Sequence, residues 1–161
     1  MNLLQRFRLS RVNKMSNEAF LKQMRKPGDM NDFVNIVEWF ASKRGCTSIK
    51  LSALCYYAYV WGLVFYNKEI APFVFYKTED GPVDKRISKI FGVSDKIITM
   101  GMKPKLSEEL EKLLSLIWEK YSNYDGYYLM ERAKVHYPFS EAQDVLLPKD
   151  MFLFYLWASM A

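Results

Sequence analysis

The sequence predicts a mainly α-helical fold: a single compact helical domain with a short β-hairpin or extended segment around residues 70–80 and a basic N-terminal helical arm. Apolar residues recur at helical spacing along most of the chain. The length of 161 residues suits one domain of ordinary size. Half of the residues are apolar and 16% are aromatic, which is enough for a core that needs neither disulfides nor metal. We place the arm at residues 1–28 and the domain at residues 29–158.

The arm is distinguished by its charge. Weak apolar stripes around Phe7 and Phe20 predict two short helices, which Pro27 and Gly28 end. The arm has seven basic side chains against Glu18 alone, a net charge of +6. They are Arg6, Arg8, Arg11, Lys14, Lys22, Arg25 and Lys26. Because the whole chain carries +5, residues 29–161 sum to −1, so the basic character belongs to the arm.

The domain begins with two helices. Asp29 is a suitable N-cap for the first, which Gly45 ends. Its apolar residues, spaced at i, i+3, i+4 and i+7, are Phe33, Ile36, Val37 and Phe40. Thr47 or Ser48 caps the second helix, which is apolar nearly all round and is therefore expected at the centre of the fold. Its expected buried side consists of Leu51, Leu54, Cys55, Ala58, Trp61 and Phe65.

The pattern changes in the middle of the chain. Residues 72–76 are aromatic and β-branched, which favours a strand or an extended segment. Asp80 and Gly81 predict a turn, and Pro82 suits the first position of a helix that ends at about Phe91. Residues 92–105 contain two glycines and a proline and are expected to form a loop with at most one short strand.

Three helices are predicted in the C-terminal part. Ser107 caps the first, whose core face is Leu110, Leu113, Leu114, Ile117 and Tyr121. The second runs from about Tyr127 to Lys134, and His136 is expected to end that unit by bonding to the backbone. The last helix is placed at Asp150 to Trp157.

The sequence offers little for catalysis or metal binding. His136 is the single histidine, so a Ser-His-Asp triad or a Cys-His dyad would have to include it. No G-x-S-x-G motif is present. A zinc site has at most Cys46, Cys55 and His136 as ligands, without the paired spacings that structural zinc prefers. The two cysteines are nine residues apart and are expected to be reduced and packed in the core. We therefore expect no catalytic residue, no metal and no cofactor.

The aromatic cluster of Tyr56, Tyr57, Tyr59 and Trp61 is the most unusual local feature. Core packing is the first interpretation, with the tyrosine hydroxyls at the edge of the domain. The alternative is a groove for a protein partner, because Tyr and Trp are enriched at binding hot spots. The candidate partner-binding residues are Tyr56, Tyr57, Trp61 and Tyr76 in the domain and Arg6, Arg8 and Arg11 in the arm.

Three interpretations of the arm remain open. A solvated tail is the default. Contact with an acidic protein partner comes next, followed by nucleic-acid binding through release of counterions from phosphates. With only Phe7 and Phe20 interleaved among its charges, the arm would be a poor platform for stacking bases.

The sequence predicts a cytoplasmic protein without a membrane partner. No apolar run typical of a signal peptide follows the first basic residues. Uninterrupted apolar runs such as residues 151–158 are well short of the roughly 20 residues that cross a bilayer.

Four segments resemble motifs of the Panacea domain family, in order and in register. Residues 47–61 resemble the family pattern "TxLKLQKLLYYAQGW", and residues 67–68 lie where the family often has Gly-Lys. Residues 73–83 are similar to its "EAWxxGPV" segment, and residues 129–139 to its "LSxLTHxExPW" segment. Residues 149–155 are similar to its closing helix. The resemblance covers roughly residues 31–156 and leaves the arm outside.

The chain departs from the family pattern at three places. Ser52 and Ala53 replace the usual Gln-Lys pair, at a position that we expect to be exposed. Phe75 and Phe139 each replace a tryptophan, which preserves an aromatic side chain. The resemblance implies a helical domain in which Lys50, Gly81, Pro82, His136 and Pro138 are structural: the turn is assigned to Gly81, a helix start to Pro82 and a helix end to His136.

The resemblance also implies a function. The family includes SocA-like antitoxins and phage-associated proteins, so the first hypothesis is a non-enzymatic protein-binding domain that neutralises a cognate toxin by direct binding. A role as an adaptor that delivers the toxin to a cellular protease is a variant of it. The alternative is a phage- or plasmid-derived regulator that binds nucleic acid through its basic arm.

Overall fold

The fold class predicted from the sequence is confirmed: a computed structural model, which describes residues 2–99, 101 and 103–160, is a single compact domain with 61% helix and one small hairpin. The helices are α1 (Leu3–Asn13), α2 (Asn17–Lys22), α3 (Met30–Ala41), α4 (Ser48–Tyr66), α5 (Lys85–Phe91), α6 (Glu108–Tyr121), α7 (Gly126–Lys134), α8 (Tyr137–Ser140) and α9 (Pro148–Met160). The strands are β1 (Tyr76–Thr78) and β2 (Gly81–Val83).

Helix α4 is the central element, as predicted. It packs against α3, α6, α7 and α9, and its residues are buried from Ser48 to Val64 except for Lys50, which is half-buried. Thr47 is its N-cap and accepts a hydrogen bond from the Lys50 amide, and Asn67 ends it in the left-handed conformation. By length and composition α4 is able to span a membrane, but 89% of its apolar window lies inside the fold, as in a core helix.

Two expectations about α4 are wrong. Phe65, which we placed on the buried side, is 57% exposed at the C-terminal end of the helix. Ser52 and Ala53, which we expected at the surface, are buried. Because α4 is covered on nearly every side, its apolar pattern has no periodicity that distinguishes these positions.

The hairpin spans residues 76–83 and so overlaps only the end of the segment predicted around residues 70–80, and the role of Pro82 differs. Strands β1 and β2 pair antiparallel. Pro82 does not begin a helix; it lies in β2, opposite Lys77 of β1. Helix α5 begins later because Asp84 is its N-cap: one carboxylate oxygen accepts from the Arg86 amide and the other from the Val74 amide. Gly81 has a φ of +125°, which favours glycine, and forms the predicted turn. In the predicted loop, Ile97 makes one isolated antiparallel bridge with Thr47.

The basic arm forms the two predicted helices, but it is not a solvated tail. Phe20 is fully buried, with its ring 5.1 Å from that of Phe152 on α9. The Lys149 amide at the start of α9 donates to Oδ1 of Asn17, and the Arg25 amide donates to the carbonyl of Asn67. The arm is therefore part of the packed domain.

Candidate functional site

A wide groove lined mainly by aromatic side chains lies between α4, α6, α7 and α9. It has a volume of about 740 Å³ and is open to solvent. We call it the aromatic groove; its lining residues are Tyr57, Trp61, Phe65, Lys120, Tyr121, Tyr124, Tyr128, Leu129, Arg132, His136, Phe154, Tyr155, Trp157, Ala158 and Ser159.

The aromatic rings of the groove are held in place by hydrogen bonds and by stacking. Nε1 of Trp61 donates to the hydroxyl of Tyr121 at 2.7 Å, and the Tyr57 ring stacks on Tyr121 with centroids 4.4 Å apart. The Tyr57 hydroxyl donates to the carbonyl of Leu129 at 3.1 Å. Since these polar tips have partners, burying the rings costs little and their orientations are fixed.

His136, which lines the groove, belongs to a second set of hydrogen bonds that leads from the groove into the core. Its Nδ1 lies 2.9 Å from the hydroxyl of Tyr155, which in turn donates to the hydroxyl of Tyr56 at 3.1 Å. Burial, helped by the charge of Arg132, lowers the pKa of His136. The prediction that the His136 side chain bonds to the backbone is wrong; the residue occupies the N-cap position of α8 without a side-chain cap, and Pro138 lies in the first turn of that helix.

The tyrosines of the groove are poor acids. Burial raises the pKa of Tyr121 to about 12, and it also raises the pKa values of Tyr57 and Tyr155. At neutral pH these phenols therefore keep their protons. The positive charge of the lining comes from Lys120 and Arg132.

The rim of the groove exposes large apolar surfaces. Phe65, Trp157, Tyr128 and Tyr124 are each about half exposed, with values from 47% to 57%. Phe65 stacks on Trp61 at 5.2 Å, and Tyr124 stacks on Tyr128 at 5.2 Å. Exposed aromatic rings that are already fixed in position lose little conformational freedom when they bind a partner.

Phe65 also borders two neighbouring concavities. The arginine pocket, of about 450 Å³, is lined by Arg8, Arg11, Val12, Gln23, Arg25, Val64, Phe65, Tyr66, Asn67 and Phe152. The aliphatic shelf, of about 490 Å³, is lined by Trp61, Phe65, Leu113, Leu116, Ile117, Glu119 and Lys120. The aromatic groove, the arginine pocket and the aliphatic shelf therefore meet at one ring, and we call their union the Phe65 surface.

The candidate residues named from the sequence divide into two groups. Tyr57, Trp61, Arg8 and Arg11 line the Phe65 surface. Tyr56 is fully buried beneath it and is not available to a partner.

The remaining candidates lie elsewhere. Tyr76 is in β1, where the ammonium group of Lys85 lies 4.0 Å from its ring centroid. Arg6 borders a shallow recess between α1 and α9. Lys50, which we assigned a structural role, donates from Nζ to the carbonyl of Ser122 and so joins α4 to the end of α6.

The most exposed aromatic residues of the site were not predicted from the sequence. Tyr124 and Tyr128 stack on each other four residues apart, and that spacing was the one available signal. The sequence contains no such signal for Phe65 or Trp157, because each lies at the end of a helix that is apolar on all sides.

The arrangement supplies contacts for binding. Within residues 2–99, 101 and 103–160, no three His, Cys, Asp or Glu side chains come together as metal ligands. Cys46 and Cys55 are free and buried, and burial raises the pKa of Cys46 to about 11, so its thiol is unreactive at neutral pH. Comparison of the chain with protein-family models, curated protein sequences and solved structures found no match in any of the three.

Proposed function

We propose that the protein is a non-enzymatic, cytoplasmic protein-binding domain that holds a partner protein against the Phe65 surface. The observation that supports this most is the group of half-exposed, mutually stacked rings around the aromatic groove. An exposed apolar patch of this kind, bordered by charged residues, is typical of an interaction site.

The resemblance to the Panacea family favours a toxin as the partner. On this proposal the chain neutralises a cognate toxin by direct binding, with or without delivery to a protease. The test is co-expression with the product of the adjacent gene, with growth and co-purification measured together. We expect the neighbour to be toxic alone and harmless in a stable complex. A neighbour that is harmless alone, or that never co-purifies, would contradict the antitoxin proposal.

Nucleic-acid binding through the arm is the second candidate, favoured by Arg8 and Arg11 in the arginine pocket. Deleting residues 1–28 is a poor test, because Phe20 packs on Phe152 and its loss would open the core. Replacing Arg6, Arg8 and Arg11 by glutamine is sharper. Nucleic-acid binding predicts an affinity that falls steeply with salt and is lost in this triple variant. Salt-independent or absent binding would exclude it.

A further inference from the structure

The Phe65 surface is continuous and combines three kinds of contact. Phe65 is shared by all three concavities, and Trp61 and Lys120 are shared by the aromatic groove and the aliphatic shelf. A partner segment that covers Phe65 therefore contacts the stacked rings of this chain on one side, its aliphatic side chains on another and its arginines on a third.

The charges of this surface are predominantly positive. Arg8 and Arg11 lie at one end, and Lys120 and Arg132 line the groove at the other. None of the ion pairs found within the described residues uses any of these four side chains. The one carboxylate in the lining is Glu119. Arg8 and Arg11 belong to the arm, which carries +6, whereas Lys120 and Arg132 come from residues 29–161, which sum to −1.

Stacked bases fit this surface less well than a peptide does. Phe65 covers Trp61, and the ammonium group of Lys120 lies 4.7 Å from the Trp61 ring centroid. The rings are thus already engaged with one another, and the shelf of Leu113, Leu116 and Ile117 has no face on which a base stacks. Aliphatic or aromatic side chains of a peptide bury well in such a concavity.

A second copy of this chain fits less well for an electrostatic reason. In a two-fold symmetric dimer the same patch faces itself. Arg8, Arg11, Lys120 and Arg132 of one copy would then oppose the same cations of the other, which disfavours association.

We propose that the Phe65 surface binds an acidic segment of the partner, with apolar anchors against Phe65, Trp157 and the aliphatic shelf and carboxylates near Arg8, Arg11, Lys120 and Arg132. This inference rests on the proposed protein-binding function and specifies the chemistry of the partner. Its apolar anchors supply most of the affinity, and its carboxylates set the register and accelerate association.

The test is a selection of random peptides about 12 residues long, which span about 40 Å when extended, against the immobilised full-length chain. We expect the enriched peptides to combine net negative charge with aromatic or leucine anchors and to lose binding to the Phe65→Ala variant. Enriched peptides that are neutral or basic, or that bind Phe65→Ala equally well, would overturn the proposal.

Charge variants provide the matched control. For the best acidic peptide, the double variant Arg8→Glu/Arg132→Glu is expected to raise Kd by about tenfold or more at low salt, and added salt should shrink that difference. Lys89→Glu/Lys96→Glu, at two exposed lysines outside the surface, reverses the same number of charges and should leave Kd nearly unchanged. Equal effects of the double variant and the control would also overturn the proposal.

Two further results separate this inference from the proposed function. If the toxic neighbour is neutralised through Phe65 but its complex responds neither to salt nor to the charge variants, the protein-binding function holds and the acidic partner is wrong. If the chain forms a dimer in solution that Phe65→Ala dissociates, the occupant of the Phe65 surface is a second copy. If a single-stranded oligonucleotide displaces the acidic peptide, the occupant is a nucleic acid. Either result would overturn the acidic protein segment.

Discussion

Ser48 and Ser52 lie about one turn apart on α4 and are both buried, but their hydroxyls differ. Oγ of Ser48 accepts from the Ser94 amide at 2.8 Å and so fixes the loop that follows α5. Oγ of Ser52 has no hydrogen-bond partner among the described residues. A buried hydroxyl without a partner keeps its full desolvation cost.

Replacing Ser52 by alanine should therefore stabilise the protein. Removing the hydroxyl and raising helix propensity together should increase the free energy of unfolding by about 0.5 to 1.5 kcal/mol. The matched control, Ser48→Ala, leaves the Ser94 amide without its acceptor and should lower it by about 1 to 3 kcal/mol. Urea denaturation measures both, and opposite signs are expected. Destabilisation by Ser52→Ala would mean that its hydroxyl has a partner, such as a buried water.

His136 makes the stability of the protein depend on pH near neutrality. Its pKa in the folded state is lower than the ordinary value of 6.5, mainly because of burial. The unfolded state therefore binds more protons in the window below 6.5, and stability is lost as the pH falls through that value toward the folded pKa.

The variant His136→Gln should weaken this dependence. Between about pH 7.5 and about pH 5.5, the melting temperature of the wild type should fall more than that of His136→Gln, because glutamine does not titrate. Differential scanning calorimetry of both proteins over this range measures the difference. Carboxylates such as Asp150 titrate in both proteins and cancel in the comparison. Parallel curves would show that His136 is not responsible.

At the scale of elements, Gly28 determines how the arm joins the domain. Its amide donates to the carbonyl of Glu69 at 2.9 Å, and a Cβ built on Gly28 would lie 2.0 Å from the carbonyl oxygen of Ile70. No side chain fits there unless the two backbone segments separate. The arm thus docks through a close approach of backbones as well as through the buried ring of Phe20.

Gly28→Ala should loosen the arm from the rest of the domain. We expect a loss of about 2 to 4 kcal/mol of stability, comparable to other severe packing changes, and faster proteolysis within residues 1–28. Gly101→Ala is the control, because a Cβ there meets no described atom within 4 Å. Limited proteolysis and urea denaturation measure the two effects. A Gly28→Ala variant as stable and as resistant as the control would contradict this account of the docking.

The elements also show what the sequence could predict. Helices α3 and α6 have one apolar face each, so their buried residues follow from spacing: Phe33 and Ile36 on α3, Leu113 and Ile117 on α6 are all buried. On α4 the same reasoning fails, because apolar residues surround the helix. Whether Phe65 is exposed depends on how far the neighbouring helices extend along α4. Pro82 was misplaced because Asp84, two residues later, caps α5.

The candidate site was less predictable than the fold for a related reason. The aromatic groove is assembled from α4, α6, α7 and α9, and the arginine pocket adds α1 and the segment that follows α2. Tyr57 and Trp61 were found from the local density of aromatic residues, but their proximity to Trp157 depends on the packing of α9. The arm was expected outside the domain because charge dominates its sequence, although Phe20 was a visible apolar anchor.

At the scale of the whole molecule, the chain is a packed helical domain with one surface that differs from the rest. Half-exposed rings, an aliphatic shelf and four cations without ion pairs among the described residues meet around Phe65. On the proposed function, this surface binds the partner protein. These groups would then contribute to binding in different ways, through apolar burial, shape and charge.

The most direct test of that claim is neutralisation of the co-expressed neighbouring gene product by the double variant Phe65→Ala/Trp157→Ala. Both residues are more than half exposed, so the variant should fold like the wild type, which its melting temperature verifies. Loss of two hot-spot rings at about 2 kcal/mol each should weaken the complex by about a thousandfold and abolish growth rescue. Ile90→Ala, an exposed apolar change on α5, should rescue as the wild type does. Full rescue by the folded double variant would contradict the claim.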